Sequence, residues 1–256
     1  MARLALLLVA WGVLTATPAF AQREPVLVPE VSQRRIEVRQ GFTGARLLLY
    51  GAVIDPGAAG SAGDYDIVVV LKGPTEPVRI REKERIVGMW MNAESSDFRS
   101  APSFFAVSSS RPINEIVDER TAAIYELGTN FIQLSPSGQI DPEEQARFAH
   151  GLVALRQKQG LYQENPGGVR ISEKVLYQAR INLPSNVTTG RYTAETFAVS
   201  KGRVVASATA RIEVVKAGLE GQVVAASQRW SFFYGLGAIA LSLGMGWMAG
   251  RFFART

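Results

Sequence analysis

The segment from Trp230 to Gly250 runs for 21 residues without a charged side chain and is closed by Arg251, five residues before the C-terminal Thr256. As a helix rising about 1.5 Å per residue it would be about 31 Å long, matching the ~30 Å hydrocarbon core of a bilayer. A transmembrane helix over 230–250 with a short tail at 251–256 is therefore predicted, and the rest of the chain must fold as a domain tethered to a membrane. At the other end, Arg3, the 11-residue apolar run from Leu4 to Leu14 and Ala19-Phe20-Ala21 follow the order of a secretory signal. This predicts a signal peptide over 1–21, since an apolar run of that length is too short to span a bilayer. Arg251 and Arg255 assign the tail to the cytoplasm, which leaves the bulk of the chain on the exported side.

The sequence holds no cysteine, so an exported domain must stand on its apolar core, without disulfides, thiolate metal sites or an acylated-cysteine anchor. The net charge of +5 does not point to nucleic acid. Setting aside Arg3, Arg251 and Arg255 leaves 25 basic against 23 acidic residues, a near-neutral exported part of +2 with no basic helix or aromatic stacking motif.

Alternation of period two predicts strands over Lys174–Leu183, Gly190–Ser200 and Arg203–Val215, the last two joined by a Lys201-Gly202 turn. The first carries Val175, Tyr177, Ala179, Ile181 and Leu183 on one face. Leu183 to Tyr192 reads as a corner between strands, and its Asn186-Val187-Thr188 sequon as turn chemistry. Further strands are expected at Arg35–Arg39, Arg46–Ile54, Asp66–Lys72, Val78–Arg85, Ile86–Asn92 and Ser103–Ser109. Leu47-Leu48-Leu49 and Ile67–Leu71 are apolar runs expected to be covered on both faces, whereas the alternating charges of 79–85 suit a solvated sheet edge. Asp141-Pro142-Glu143-Glu144 opens a helix that stops at Gly160, with a stripe of Phe148, Leu152 and Leu155. A weaker helix is expected over 113–127.

The predicted fold is mainly β. It is a sandwich-like, immunoglobulin-like exported domain over 22–215 with a helical insertion near 113–160, a juxtamembrane linker at 216–229 and the C-terminal membrane helix. Two small β domains joined by the helices are the alternative.

Candidate chemistry is sparse. His150 is the only histidine and sits at the margin of the helix stripe, which suits a structural role. Asp55, Asp64 and Asp66 flank a glycine-rich loop that reads as a solvated hairpin more readily than as a calcium loop. Glu82, Glu84, Glu94 and Asp97 read as surface charge, because an acid/base pair needs two carboxyls held across a cleft and spacing along charged strands does not show one. The serines near Phe104-Phe105 lack a nucleophile elbow. No catalytic, cofactor or metal residue is assigned. Trp90 and the Phe104-Phe105 pair read as core; the alternative is a partner surface in which Trp90, Asn92 and Arg111 make contact. Ala238, Ser242, Gly246 and Gly250 recur every fourth residue and form a face on which membrane helices can approach closely.

Read together, Arg35-Ile36-Glu37-Val38, Phe42-Thr43-Gly44, Leu49-Tyr50-Gly51-Ala52, Asp66 through Pro74, Lys83-Glu84-Arg85 with Gly88-Met89-Trp90-Met91-Asn92, Pro102 through Val107 and the anchor give a resemblance. The chain resembles the Putative transmembrane protein family of alphaproteobacteria over essentially its whole mature length. That resemblance implies a single-pass inner-membrane protein with its bulk in the periplasm. It also implies a membrane partner of the sulfite-exporter-like permease class. The function expected on these grounds is a non-enzymatic interaction module accessory to an envelope or transporter complex. The alternative is a tethered small-solute or anion-binding protein serving a transporter through arginines such as Arg79, Arg81 and Arg111.

Overall fold

Strands of strict alternation must bury one face, and in this chain two sheets do so against each other. The computed structural model describes residues 25–39, 41–55, 64–138, 141–217 and 227–253. The predicted signal peptide at 1–21, the glycine-rich segment 56–63, most of the predicted linker at 216–229 and the last three residues of the predicted tail lie outside them. The strands are β1 (Val26–Val31), β2 (Arg35–Val38), β3 (Ala45–Ile54), β4 (Asp66–Lys72), β5 (Thr75–Ile86), β6 (Met89–Pro102), β7 (Phe105–Ser109), β8 (Ser135–Pro136), β9 (Tyr162–Pro166), β10 (Val169–Ser172), β11 (Leu176–Leu183), β12 (Gly190–Ser200) and β13 (Arg203–Lys216). The helices are α1 (Ile113–Ile116), α2 (Glu119–Tyr125), α3 (Pro142–Lys158) and α4 (Ser231–Phe253), with a 3-10 turn at Thr129–Phe131.

A four-stranded sheet in the order β1-β3-β11-β10 packs on a six-stranded sheet in the order β2-β13-β12-β4-β7-β9. Leu47, Leu49, Tyr177, Ala179 and Ile181 from the first meet Ile67, Val69, Leu71, Ala106 and Tyr192 from the second in one core. The mainly β reading holds, and one C-terminal helix is long and apolar enough to span a membrane. Ile67 to Leu71 are each 0% exposed, as an apolar run in a central strand requires. The second cover is the segment of α1 and α2, whose Tyr125 ring packs on Phe197 of β12 with centroids 5.4 Å apart. Leu47-Leu48-Leu49 differs: Leu47 and Leu49 are buried, but Leu48 is half-buried, because nothing from the described chain covers the outer face of the four-stranded sheet.

The corner between β11 and β12 is tied by Tyr192, whose hydroxyl donates to the Thr188 carbonyl at 2.7 Å. This is the local bond that holds tyrosine corners in β-sandwiches. Asn186 donates to the Gln159 carbonyl at 3.4 Å, as a turn residue. Lys201 and Gly202 both have positive φ, the geometry of a two-residue hairpin. At the start of β11, Glu173 and Lys174 instead adopt positive φ and form a turn, so Val175 is 38% exposed and does not extend the buried face.

The helical expectations need two corrections. The segment 113–127 is two helices, because Val117 is extended at φ −139° and Asp118 starts anew by accepting from the Thr121 amide. In α3, capped by Asp141 with Pro142 at its first turn, Phe148 and Leu152 are buried but Leu155 is 47% exposed. Leu155 lies beyond the small core that α3 shares with Val78, Ile80, Phe98 and Ala101.

That small core belongs to a third sheet, β5-β6-β8. Lys72 pairs with Phe105 at the end of β4–β7, and Thr75 pairs with Pro102 just beyond. The Gly73 amide donates to the Phe104 carbonyl at 2.8 Å between them. The residues expected as separate short strands thus form one long ribbon. It leaves the sandwich at the end of β4 and turns back only at Val87-Gly88. A Cβ on Gly73 would lie 2.8 Å from Ser103 Oγ, so this join accepts no side chain.

Candidate interaction surfaces

The ribbon is braced over its inner half. Phe148 and Leu152 of α3 bury against Phe98 and Ala101, Arg156 pairs with Glu76 at 2.6 Å, and Arg147 pairs with Glu82 at 3.4 Å and with Glu94. Every residue from Lys83 to Ser95 is exposed. Trp90 is therefore not core: it is 70% exposed beside the turn, while Phe104 and Phe105 are each 0% exposed in the sandwich. The difference has a simple cause, since a two-stranded ribbon past the reach of α3 offers a side chain nothing to bury against. Asn92 sits opposite Lys83 on the same stretch.

Arg111 is elsewhere. It follows β7, where its Nε donates to Asp66 Oδ1 at 3.0 Å and its Nη2 to Oδ2, with Glu115 3.7 Å away. This bidentate bond, assisted by Ser110, holds the Asp66 carboxyl below its usual pKa despite partial burial. Asp66 begins β4 and the ribbon leaves from its other end, so Trp90 and Asn92 share one surface and Arg111 belongs to another. The other loop carboxylates also have partners: Asp64 takes Lys174 at 2.8 Å, and Asp55 accepts from the Tyr65 hydroxyl, which lifts the Tyr65 pKa to about 12.

Of the remaining charged candidates, Glu82 and Glu94 flank Arg147, and Arg79 pairs with Asp97. His150 is exposed on α3. A cleft of about 550 Å³ lies between β7, α1 and α2, with Asp118 and Glu164 among its lining residues. Both carboxylates are engaged: Asp118 caps α2, and Glu164 accepts from the amide and hydroxyl of Thr129. On the neighbouring face, burial works against the charge of Lys72, but bonds to Glu126 and Glu195 outweigh it and leave the pKa raised.

The surface that sequence reasoning missed is the outer face of the four-stranded sheet. Register places Val28 opposite Ala52 and Ala52 opposite Leu176, with Val26 opposite Ile54 and Tyr50 two residues along β3. Val26, Val28, Tyr50, Ile54 and Leu176 are 41–55% exposed. They line or border a shallow apolar concavity of about 580 Å³. The signal in the sequence is partial: Leu48, Tyr50, Ala52 and Ile54 form the second face of β3, but Val26-Leu27-Val28-Pro29 is a continuous apolar run that does not show which side is covered.

In α4 the small residues fall as expected along one side, and Ser242 satisfies its hydroxyl by donating to the Ala238 carbonyl at 2.9 Å. Ala238, Ser242, Gly246 and Gly250 are all exposed, and no part of the span is buried against the β domain. Trp230, Phe232 and Phe233 cluster at its start, with Trp230 and Phe233 centroids 5.9 Å apart. At its end Arg251 lies over the Trp247 ring at 5.9 Å. Aromatic rings at both ends of an apolar helix fit the two interfaces of a bilayer.

Comparison with known families matches residues 26–255 to the family described as Putative transmembrane protein (Alph_Pro_TM). Comparisons with curated proteins and with solved structures return no match.

Proposed function

This chain belongs to that transmembrane family, and from this premise we propose that it acts as a membrane-anchored, non-enzymatic interaction module accessory to an envelope or transporter complex. Its bulk lies in the periplasm and its anchor in the inner membrane. The observation that supports this reading is the exposed apolar face built by Val26, Val28, Tyr50, Ile54 and Leu176 on three adjacent strands. Contiguous apolar area on an otherwise polar surface marks contact sites. A tyrosine at its centre, on a rigid sheet, suits an anchor residue for a protein partner. The partner is an integral membrane protein of the permease class, with the small-residue side of α4 available to pack beside it.

A photoreactive residue in place of Tyr50, introduced in the native cells, is expected to crosslink to one membrane protein. The added substitution Val28→Lys should abolish the product. The same probe at Thr209, exposed on the opposite sheet, should give none. Crosslinking at Tyr50 only to lipid, to itself or to nothing would refute the reading.

A further inference from the structure

The ribbon tip has properties that the sheet face lacks. Ile86, Val87, Met89, Trp90 and Met91 are 45–93% exposed, and they surround a two-residue turn. They point to both sides of the ribbon, as alternation demands, so no flat surface could cover them all. Five residues are also few beside the 20–30 residues per side of a stable protein interface. Behind them, Lys83 and Arg85 outnumber Glu84 as the charged residues of 83–92.

The turn itself is costly. Val87 has φ 51° and Gly88 φ 84°, the left-handed pair of a type I′ turn. Asparagine, aspartate or glycine fits the first position, whereas a β-branched residue there is strained. An apolar group stands where the backbone favours a polar one. Strained backbone of this kind clusters at functional sites.

Position supplies the occupant. Gly190 pairs with Val214 near the end of β13, and a Cβ on Gly190 would lie 2.9 Å from Pro74 at the base of the ribbon. The ribbon and the chain leading to α4 therefore leave the sandwich at the same end. From Thr75 to Val87 the ribbon reaches about 40 Å at ~3.3 Å per residue. Residues 217–226, after β13, span at most about 36 Å, and the helical turn at 227–229 adds roughly 5 Å before α4. The linker can thus accommodate the full ribbon between sandwich and bilayer, and tethering keeps the tip at high local concentration near lipid.

We propose that the hairpin tip Ile86–Met91 inserts into the interfacial layer of the bilayer that holds α4, with Trp90 at headgroup level and Lys83 and Arg85 against anionic lipid phosphates. This rests on the reading of α4 as a membrane anchor, not on the partner assigned to the sheet face. Tryptophan favours that layer, and basic residues beside it are attracted to anionic headgroups. The insertion gives the domain a second attachment and fixes its distance from the membrane.

The absence of cysteine makes the test direct. Full-length Val87→Cys, labelled with an environment-sensitive fluorophore, is reconstituted into vesicles of phosphatidylethanolamine and phosphatidylglycerol. Arg203→Cys at the opposite end of the sheet is the control. The tip label is expected to shift to the blue, to lose quenching by aqueous iodide and to gain quenching by headgroup-proximal spin-labelled lipid. The control label should do none of these. Replacing phosphatidylglycerol with phosphatidylcholine should weaken the effect, and Trp90→Ser in the labelled protein should reduce it. Far-ultraviolet circular dichroism confirms folding of each variant. A tip label as open to iodide as the control overturns the proposal. So does a tip label shielded in native membranes but open in pure lipid, which would assign the tip to a protein partner.

Discussion

Gly51→Ala tests whether the apolar sheet face depends on close backbone packing beneath it. Gly51 lies on β3 between Pro29 of β1 and Tyr177 of β11, on the side facing the core. A Cβ there would sit 2.3 Å from the Val28 carbonyl oxygen and 2.6 Å from the Tyr177 hydroxyl oxygen. Neither neighbour can easily yield. The carbonyl belongs to the β1 backbone, and Tyr177 is 2% exposed with its ring held in the core. Overpacking typically costs about 1–3 kcal/mol, and with a backbone atom as one of the two obstructions the upper end, about 3 kcal/mol, is expected. At about 2–4 °C per kcal/mol for a chain of this size, the melting temperature should fall by roughly 6–12 °C. Because the strain is relieved most simply by β1 moving away from β3, Val26 and Val28 should also leave the apolar face. Urea denaturation of the full chain in mild detergent measures the first effect, and loss of Tyr50 crosslinking the second. Gly138→Ala is the control, since nothing lies within 4 Å of its added Cβ. A Gly51→Ala protein within about 0.5 kcal/mol of the parent, the usual scatter of neutral surface changes, would refute the packing argument.

Other expectations follow from single contacts. Tyr192→Phe removes the hydroxyl that reaches the Thr188 carbonyl and should cost about 1 kcal/mol in the same denaturation assay. Phe148→Ala empties the small core under the ribbon, at about 3–5 kcal/mol for a buried phenylalanine. That loss falls on the ribbon first, so limited proteolysis should cut within 76–98 before the sandwich unfolds. Asp66, its carboxyl pKa lowered chiefly by Arg111, contributes stability that is present above the unfolded value near pH 4 and is lost as pH falls through the lowered folded value. Arg111→Ala should remove that acid limb from a plot of melting temperature against pH, and an unchanged limb would show that another carboxylate controls it.

Much of the sandwich was legible in the sequence because its signals are local. The alternation of 203–215, the unbroken run at 67–71 and the Asp141-Pro142 helix start each encode their own structure within a few residues. The α1–α2 break was less visible, since the apolar pattern continues through Val117, where the helix stops, and only the cap at Asp118 marks the new start. The exposed surfaces were hidden for a different reason. Whether a face of alternating apolar residues is core or surface depends on what covers it, which is a property of the whole topology. Tyr50 and Phe197 illustrate this: both lie on outward faces of the sandwich, yet the α2 ring of Tyr125 covers Phe197 and no described element covers Tyr50. The same holds for Trp90 against Phe104. Both are aromatic residues on or beside β6, but Phe104 lies where the ribbon enters the sandwich and Trp90 lies beyond the last contact with α3. Exposure of an aromatic residue is thus set by how far its strand outruns the layer beside it. In this chain the strand outruns its layer at the end from which the membrane helix departs.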